Sequence, residues 1–119
     1  MIAYRYIDEN KGGRVVTIFE GIVEIFLKED GHCHGLIGGG NNTFPFDFNC
    51  GREMRPRMVD GLYIPMFELS VINNLPEPKR GDSVVFLLMI KNKELVAGVW
   101  SFLNFYEQVL RDCERLKKT

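Results

Sequence analysis

A chain of 119 residues is long enough for one domain with a core of its own, so no metal or disulfide is needed to staple it. Its 45% hydrophobic and 26% charged residues are ordinary for a globular protein. The net charge of −1, from 15 basic and 16 acidic residues, excludes a strongly basic nucleic-acid scaffold and leaves room only for a local basic patch. Three cysteines, Cys33, Cys50 and Cys113, are too few and of the wrong parity for a disulfide framework, and read as free thiols in a reducing cytoplasm. The first ten residues contain no apolar h-region, and no window approaches the roughly 20 apolar residues that span a bilayer. The expectation is a cytoplasmic protein with no membrane partner.

Period-two patterning dominates the chain. Residues 2–7 form a short β-rich run, and 8–13 read as a turn by composition. Residues 15–27 form a long strand pattern, with Val15, Thr17, Phe19, Val23, Ile25 and Leu27 on one face. Gly21 in its middle predicts a bulge or bend, which would let one strand serve two sides of a barrel. After the turn Glu29-Asp30-Gly31, residues 32–37 make a short strand, and the glycine-rich stretch 38–42 a connection. Residues 43–49 place Phe44, Phe46 and Phe48 on one strand face. Residues 50–61 are polar, carry Arg52, Arg55 and Arg57, and read as a loop; residues 63–72 are β-prone but weakened by Pro65. Pro76, Pro78 and Gly81 punctuate the next loop. Residues 83–90 and 94–100, joined at Asn92-Lys93, make the clearest hairpin. Phe102, Tyr106, Val109, Cys113 and Leu116 then recur as one helical stripe, with Asn104 and Glu107 spaced like a capping box and Arg115, Lys117 and Lys118 suiting the negative end of the helix dipole. That stripe is expected to cover an open barrel end or a second copy of the chain.

Two segments resemble cold-shock domains. Gly21-Ile22-Val23-Glu24-Ile25-Phe26, followed by His34-Gly35-Leu36-Ile37, is similar to that family's opening strands. Gly81-Asp82-Ser83-Val84-Val85-Phe86, followed by Ala97-Gly98-Val99, is similar to its fourth and fifth strands. The resemblance spans residues 21–99 apart from an insertion. It implies a mostly β fold: a small antiparallel β-barrel of the oligonucleotide-binding (OB) type, with five or more strands and a C-terminal helix. The expected organisation is a single domain over 1–119, with barrel core 21–100, insertion at about 50–78 and helix at about 104–118. Either 43–49 or 63–70 could supply the third barrel strand; the former follows the second strand at a short hairpin distance and is preferred.

The family binds single-stranded RNA or DNA on exposed aromatic rings flanked by cations, because unpaired bases stack on rings while cations follow the phosphates. Carried over residue by residue, the resemblance implies Phe26, His34 and Phe46 on a nucleic-acid face, and the loop cations Arg55 and Arg57 are the candidate phosphate contacts beside it. The pattern is uneven: Ile25 and Leu36 stand where the family has rings, and Asp47 stands where it has a histidine. Lys79 and Arg80 are further loop cations. The expected activity is weak, unselective single-strand binding. The alternative is a protein-interaction module whose nucleic-acid face is degenerate, as a monomer or homodimer; the number of exposed rings separates the two. A second alternative is metal chemistry at His32, His34 and Cys50, which share too few ligands for a closed zinc site. No acid pair or nucleophile–base order points to an enzyme, Gly38-Gly39-Gly40 lacks the phosphate-loop pattern, and no metal or other cofactor is expected.

Overall fold

The computed structural model of the protein describes residues 3–8, 14–70 and 72–117. Among these residues eight strands and one α-helix follow in order: β1 (Ala3–Asp8), β2 (Arg14–Glu29), β3 (His32–Gly39), β4 (Asn42–Asp47), β5 (Met54–Val59), β6 (Leu62–Phe67), β7 (Ser83–Lys91), β8 (Glu94–Phe102) and α1 (Leu103–Lys117). The turn expected between β1 and β2 falls mostly on residues 9–13, outside the described residues.

Five strands close a barrel in the order β2-β3-β4-β8-β7, with β7 returning to β2. Neighbours are antiparallel except β4 and β8, which meet in parallel. This is a closed five-stranded barrel with a C-terminal helix, an architecture compatible with the OB type that the resemblance implied. The third barrel strand is the 43–49 segment: β4 pairs with β3 along its length and touches β8 at Phe46↔Ala97. The rival segment became β6.

The hairpins follow from local turn chemistry. Asp30-Gly31, Asp60-Gly61 and Asn92-Lys93 each place two consecutive residues at positive φ, the requirement of a type I′ turn, whose twist matches the strands it joins. Gly40 alone is positive in the β3–β4 turn, the sign pattern of type II′. A two-residue turn is closed by a hydrogen-bonded pair, and pairs alternate from there. Pro45 opposite Leu36, and Pro56 opposite Pro65, therefore fall at non-hydrogen-bonded positions, where the missing N–H costs the ladder nothing.

Strand β2 is shared among three partners: its first half pairs with β1, Phe19–Ile22 with β7, and its second half with β3. Gly21 sits at this exchange, where a Cβ would approach the Gly38 carbonyl oxygen to 2.5 Å. The register shift itself comes later, between Val23 and Ile25, and leaves Glu24 as the extra residue. A bulge reverses which parity faces inward. This corrects the single face read from the sequence: Val23 is buried and Phe26 packs inward, whereas Ile25 and Leu27 are each 43% exposed.

Two apolar clusters lie on opposite sides of the β7 wall. Inside the barrel, Val23, Ile37, Phe44, Phe46, Val84, Phe86, Ala97, Trp100 and Phe102 form the first. Gly35 on β3 leaves room for the Phe26 and Phe46 rings to stack across it, with centroids 6.1 Å apart. The Trp100 indole packs edge-on against Phe46 and donates to the Asp47 carbonyl at 2.9 Å, giving a buried ring its needed acceptor. The loop from β6 to β7 is pinned to this core by Asn73, which donates to the Phe48 carbonyl and accepts from the Leu75 amide, and by buried Leu75.

Outside the wall, Ile18, Val85 and Leu87 pack with Met54, Val59, Met66 and Phe67 of the β5–β6 hairpin and with Tyr106, Val109 and Cys113 of α1. The segment expected to be a loop at 50–61 is therefore a strand for half its length. The helix stripe is buried as expected, but against the barrel's outer wall and this hairpin instead of across an open end. The helix starts at Leu103, so Asn104 lies within it and accepts from the Phe105 amide at 3.1 Å rather than forming a capping box.

Burial raises the Cys113 thiol above its ordinary range. The thiolate is the nucleophile, and Cys33 and Cys50 are only half-buried. Iodoacetamide applied to the native protein is expected to label Cys33 and Cys50 first and Cys113 only on unfolding. Mass-spectrometric peptide mapping that finds all three labelled at one rate would contradict the packing of α1.

Candidate binding face

Pairing across β2, β3 and β4 places side chains on the barrel's outer face in rows. Ile22 lies beside Gly38 and Thr43; Ile25 beside Leu36 and Pro45; Leu27 beside His34 and Asp47; Glu29 beside His32. Glu24, from the bulge, lies over Gly38. Ile22, Ile25, Leu27, Leu36 and Pro45 make a continuous aliphatic stripe, at least partly exposed throughout. The charged residues of the rows are Glu24, Glu29 and Asp47, and among these described residues there is no Lys, Arg, Phe, Tyr or Trp.

The histidines occupy the polar end of this face. His32 Nε2 lies 3.0 Å from Asp47 Oδ1, His34 Nε2 lies 3.7 Å from Glu29 Oε2, and the two rings are 4.9 Å apart. Both point to one side of β3, as the alternation predicts. Among the described residues no group of three or more His, Cys, Asp or Glu side chains is gathered so as to hold a metal ion.

A cleft of about 400 Å3 adjoins the face. His34, Pro45 and Asp47 belong to both, Phe46 and Ala97 lie at its floor, and the β7–β8 tip supplies Met89, Ile90 and Val96. A cavity of this size, mostly apolar with a few converging polar groups, has the character of a ligand site. The tip is unusually apolar: Ile90 is 77% exposed and its cross-strand neighbour Leu95 is 51% exposed.

The residues expected to make a nucleic-acid face are divided by the fold. Phe26, His34 and Phe46 are neighbours on adjacent strands, but both phenylalanine rings turn into the barrel and Phe46 is 3% exposed. Phe44 is core, and Phe48 leaves the strand in a 3-10 turn, Phe48–Cys50, so these rings do not form an exposed row. Arg55 and Arg57 are exposed on β5, in the hairpin that packs on α1, away from the cleft; Arg55 lies 3.6 Å from Glu53. Arg52 is turned back onto the Asn49 and Gly51 carbonyls at 2.6 and 2.7 Å. None of the described aromatic side chains in the chain is fully exposed.

What the sequence reading missed is the aliphatic stripe and the β7–β8 tip. The period-two pattern puts Ile25 and Leu27 on one face with Val23, because the bulge has no residue signature of its own. Ile90 and Leu95 stood in an unbroken apolar hairpin with nothing to mark where the barrel stops. No protein-family model, curated protein or solved structure matches this chain. No helix among the described residues is long and apolar enough to cross a membrane.

Proposed function

We propose that the chain is a protein-interaction module that docks a polypeptide on the outer β2–β3–β4 face and the adjoining cleft. One observation carries the reading: the face is aliphatic and acidic, with its rings turned inward. Single-strand binding rests on stacking and on cations along the phosphates. The face offers only the two imidazoles for stacking, and its carboxylates repel phosphate. An exposed aliphatic stripe instead gains free energy by covering itself with apolar groups, about 25 cal/mol per Å2 removed from water. The OB-type barrel accommodates either use, since fold does not determine function.

The reading is tested by two titrations. A labelled single-stranded oligonucleotide at low salt is expected to show no binding up to roughly 10⁻⁴ M, the scale of weak non-specific contacts. An array of peptides alternating aliphatic with basic, neutral or acidic residues is expected to retain the basic series, and to lose it with an Ile25→Ser/Leu27→Ser double variant. Both positions are 43% exposed and outside the core clusters, and the variant's fold is checked by its thermal unfolding midpoint. Salt-sensitive oligonucleotide binding, together with an unresponsive peptide array, would return the face to nucleic acid.

A further inference from the structure

The barrel is incompletely zipped between β4 and β8. Strand β8 pairs with β7 from Glu94 to Phe102, and β4 pairs with β3 from Asn42 to Asp47, yet β4 and β8 meet only at Phe46↔Ala97. Beyond β4, Gly51 bridges to Trp100, and the Arg52 amide donates to the Trp100 carbonyl at 2.9 Å. The C-terminal half of β8 is thus covered. Towards their N-terminal ends the two strands part, and residues 94–96 have no ladder partner on that side among the described residues.

The two lips of this gap differ. On β4, Pro45 sits at a non-hydrogen-bonded position facing the gap and brings no N–H to it. The Asp47 carbonyl is already taken by the Trp100 indole. On β8, the two-residue turn makes Lys91↔Glu94 the hydrogen-bonded closing pair, which leaves Ile90↔Leu95 as a non-hydrogen-bonded pair. The Leu95 N–H and C=O therefore point away from β7, into the gap. A strand edge with an unused donor and acceptor is a template for another chain. Proteins commonly blunt such edges with proline, which is what β4 shows and β8 does not.

The surroundings specify the visitor. Ile90, Leu95 and Met89 offer exposed apolar side chains beside the edge. Asp47 and Glu94 line the cleft, Glu29 lies two pairs beyond His34 on the same face, and Lys91 is the cation of the lining, set directly opposite Glu94. We infer that one extended polypeptide segment, alternating aliphatic and basic residues, adds to the β8 edge at Leu95 and reaches over the cleft to Asp47. Its backbone supplies the acceptor and donor that Leu95 lacks, its apolar side chains cover Ile90 and Leu95, and a Lys or Arg meets the Asp47 carboxylate. Strand addition of this kind takes affinity from main-chain hydrogen bonds and specificity from alternate side chains. The site deepens the protein-interaction reading and rests on it.

The probe is an acetylated, amidated hexapeptide alternating valine and lysine, added at millimolar concentration to the isotope-labelled full chain. Binding is expected to slow amide exchange at Leu95 and to be lost when alternate peptide amides on one edge are N-methylated, but kept when those of the other edge are. Asp47→Asn, which leaves the backbone carbonyl for Trp100, is expected to weaken binding several-fold. A glutamate-for-lysine version of the peptide should not bind. If the peptide binds and shifts Ile25 and Leu27 while Leu95 exchange and N-methylation have no effect, strand addition is overturned and docking on the face stands. If neither peptide binds and no resonance moves, both readings fall.

Discussion

Val109→Asp is expected to destabilise the protein by about 3–5 kcal/mol, the scale of an uncompensated buried charge. Val109 is 6% exposed, one helical turn from Tyr106 and from Cys113, and packs with Ile18, Val85 and Leu87 of the barrel wall and Met54 and Met66 of the hairpin. The side chains of that cluster are uncharged, and Arg55, which lines a surface groove beside Val109, already faces Glu53. The charge would therefore either be protonated in place or drive α1 off the wall, exposing the second core. Val109→Ala, which removes two methyl groups but adds no charge, should cost about 2 kcal/mol. The difference between the two unfolding free energies isolates the charge. Equal midpoints for Val109→Asp and wild type in urea would mean that the helix is not packed on the barrel.

Gly35→Ala should be damaging out of proportion to one methyl group. A Cβ there would overlap the Ile25 carbonyl oxygen and approach the Phe46 ring to 3.0 Å. The obstacle is backbone of the neighbouring strand, so relief requires β2 and β3 to part or the Phe26–Phe46 stack to open. The cost is expected at or above the top of the roughly 1–3 kcal/mol typical of overpacking. Gly38→Ala is the control on the same strand: its Cβ meets only the flexible Glu24 side chain, and it should be tolerated within about 1 kcal/mol. A chemical-denaturation series in which both variants cost the same would refute the inward placement of Gly35.

These two sites mark the boundary of what the residues alone convey. The helix stripe through Tyr106, Val109 and Cys113 was readable because helical periodicity is local. So was the β7–β8 hairpin, because two strands and their turn lie within 20 consecutive residues. Asp60-Gly61 carried the same turn signal and was passed over, because Pro56, Pro65 and the arginines made residues 50–61 look like a loop. Two prolines are harmless in a two-stranded ribbon when both fall at non-hydrogen-bonded positions. That placement depends on register, which single residues do not announce.

The sequence by itself determined the strand-rich class, the β7–β8 hairpin, the glycine- and asparagine-bearing turns, and the amphipathic last helix. Each of these depends on dihedral preference or on hydrophobic period over a few residues. Only the tertiary structure decided which way the rings face and what the helix covers. A single extra residue at Glu24 reverses inside and outside for the rest of β2, turning Phe26 inward and Ile25 and Leu27 out. Phe46 faces inward because its strand is closed against β8, a contact made across about 50 residues of chain. The apolar run Val84, Val85, Phe86 and Leu87 is buried on both sides because the hairpin and α1 return to cover the barrel's outer wall. Whether an aromatic is a stacking platform or a core residue is a property of closure, and closure is a long-range event.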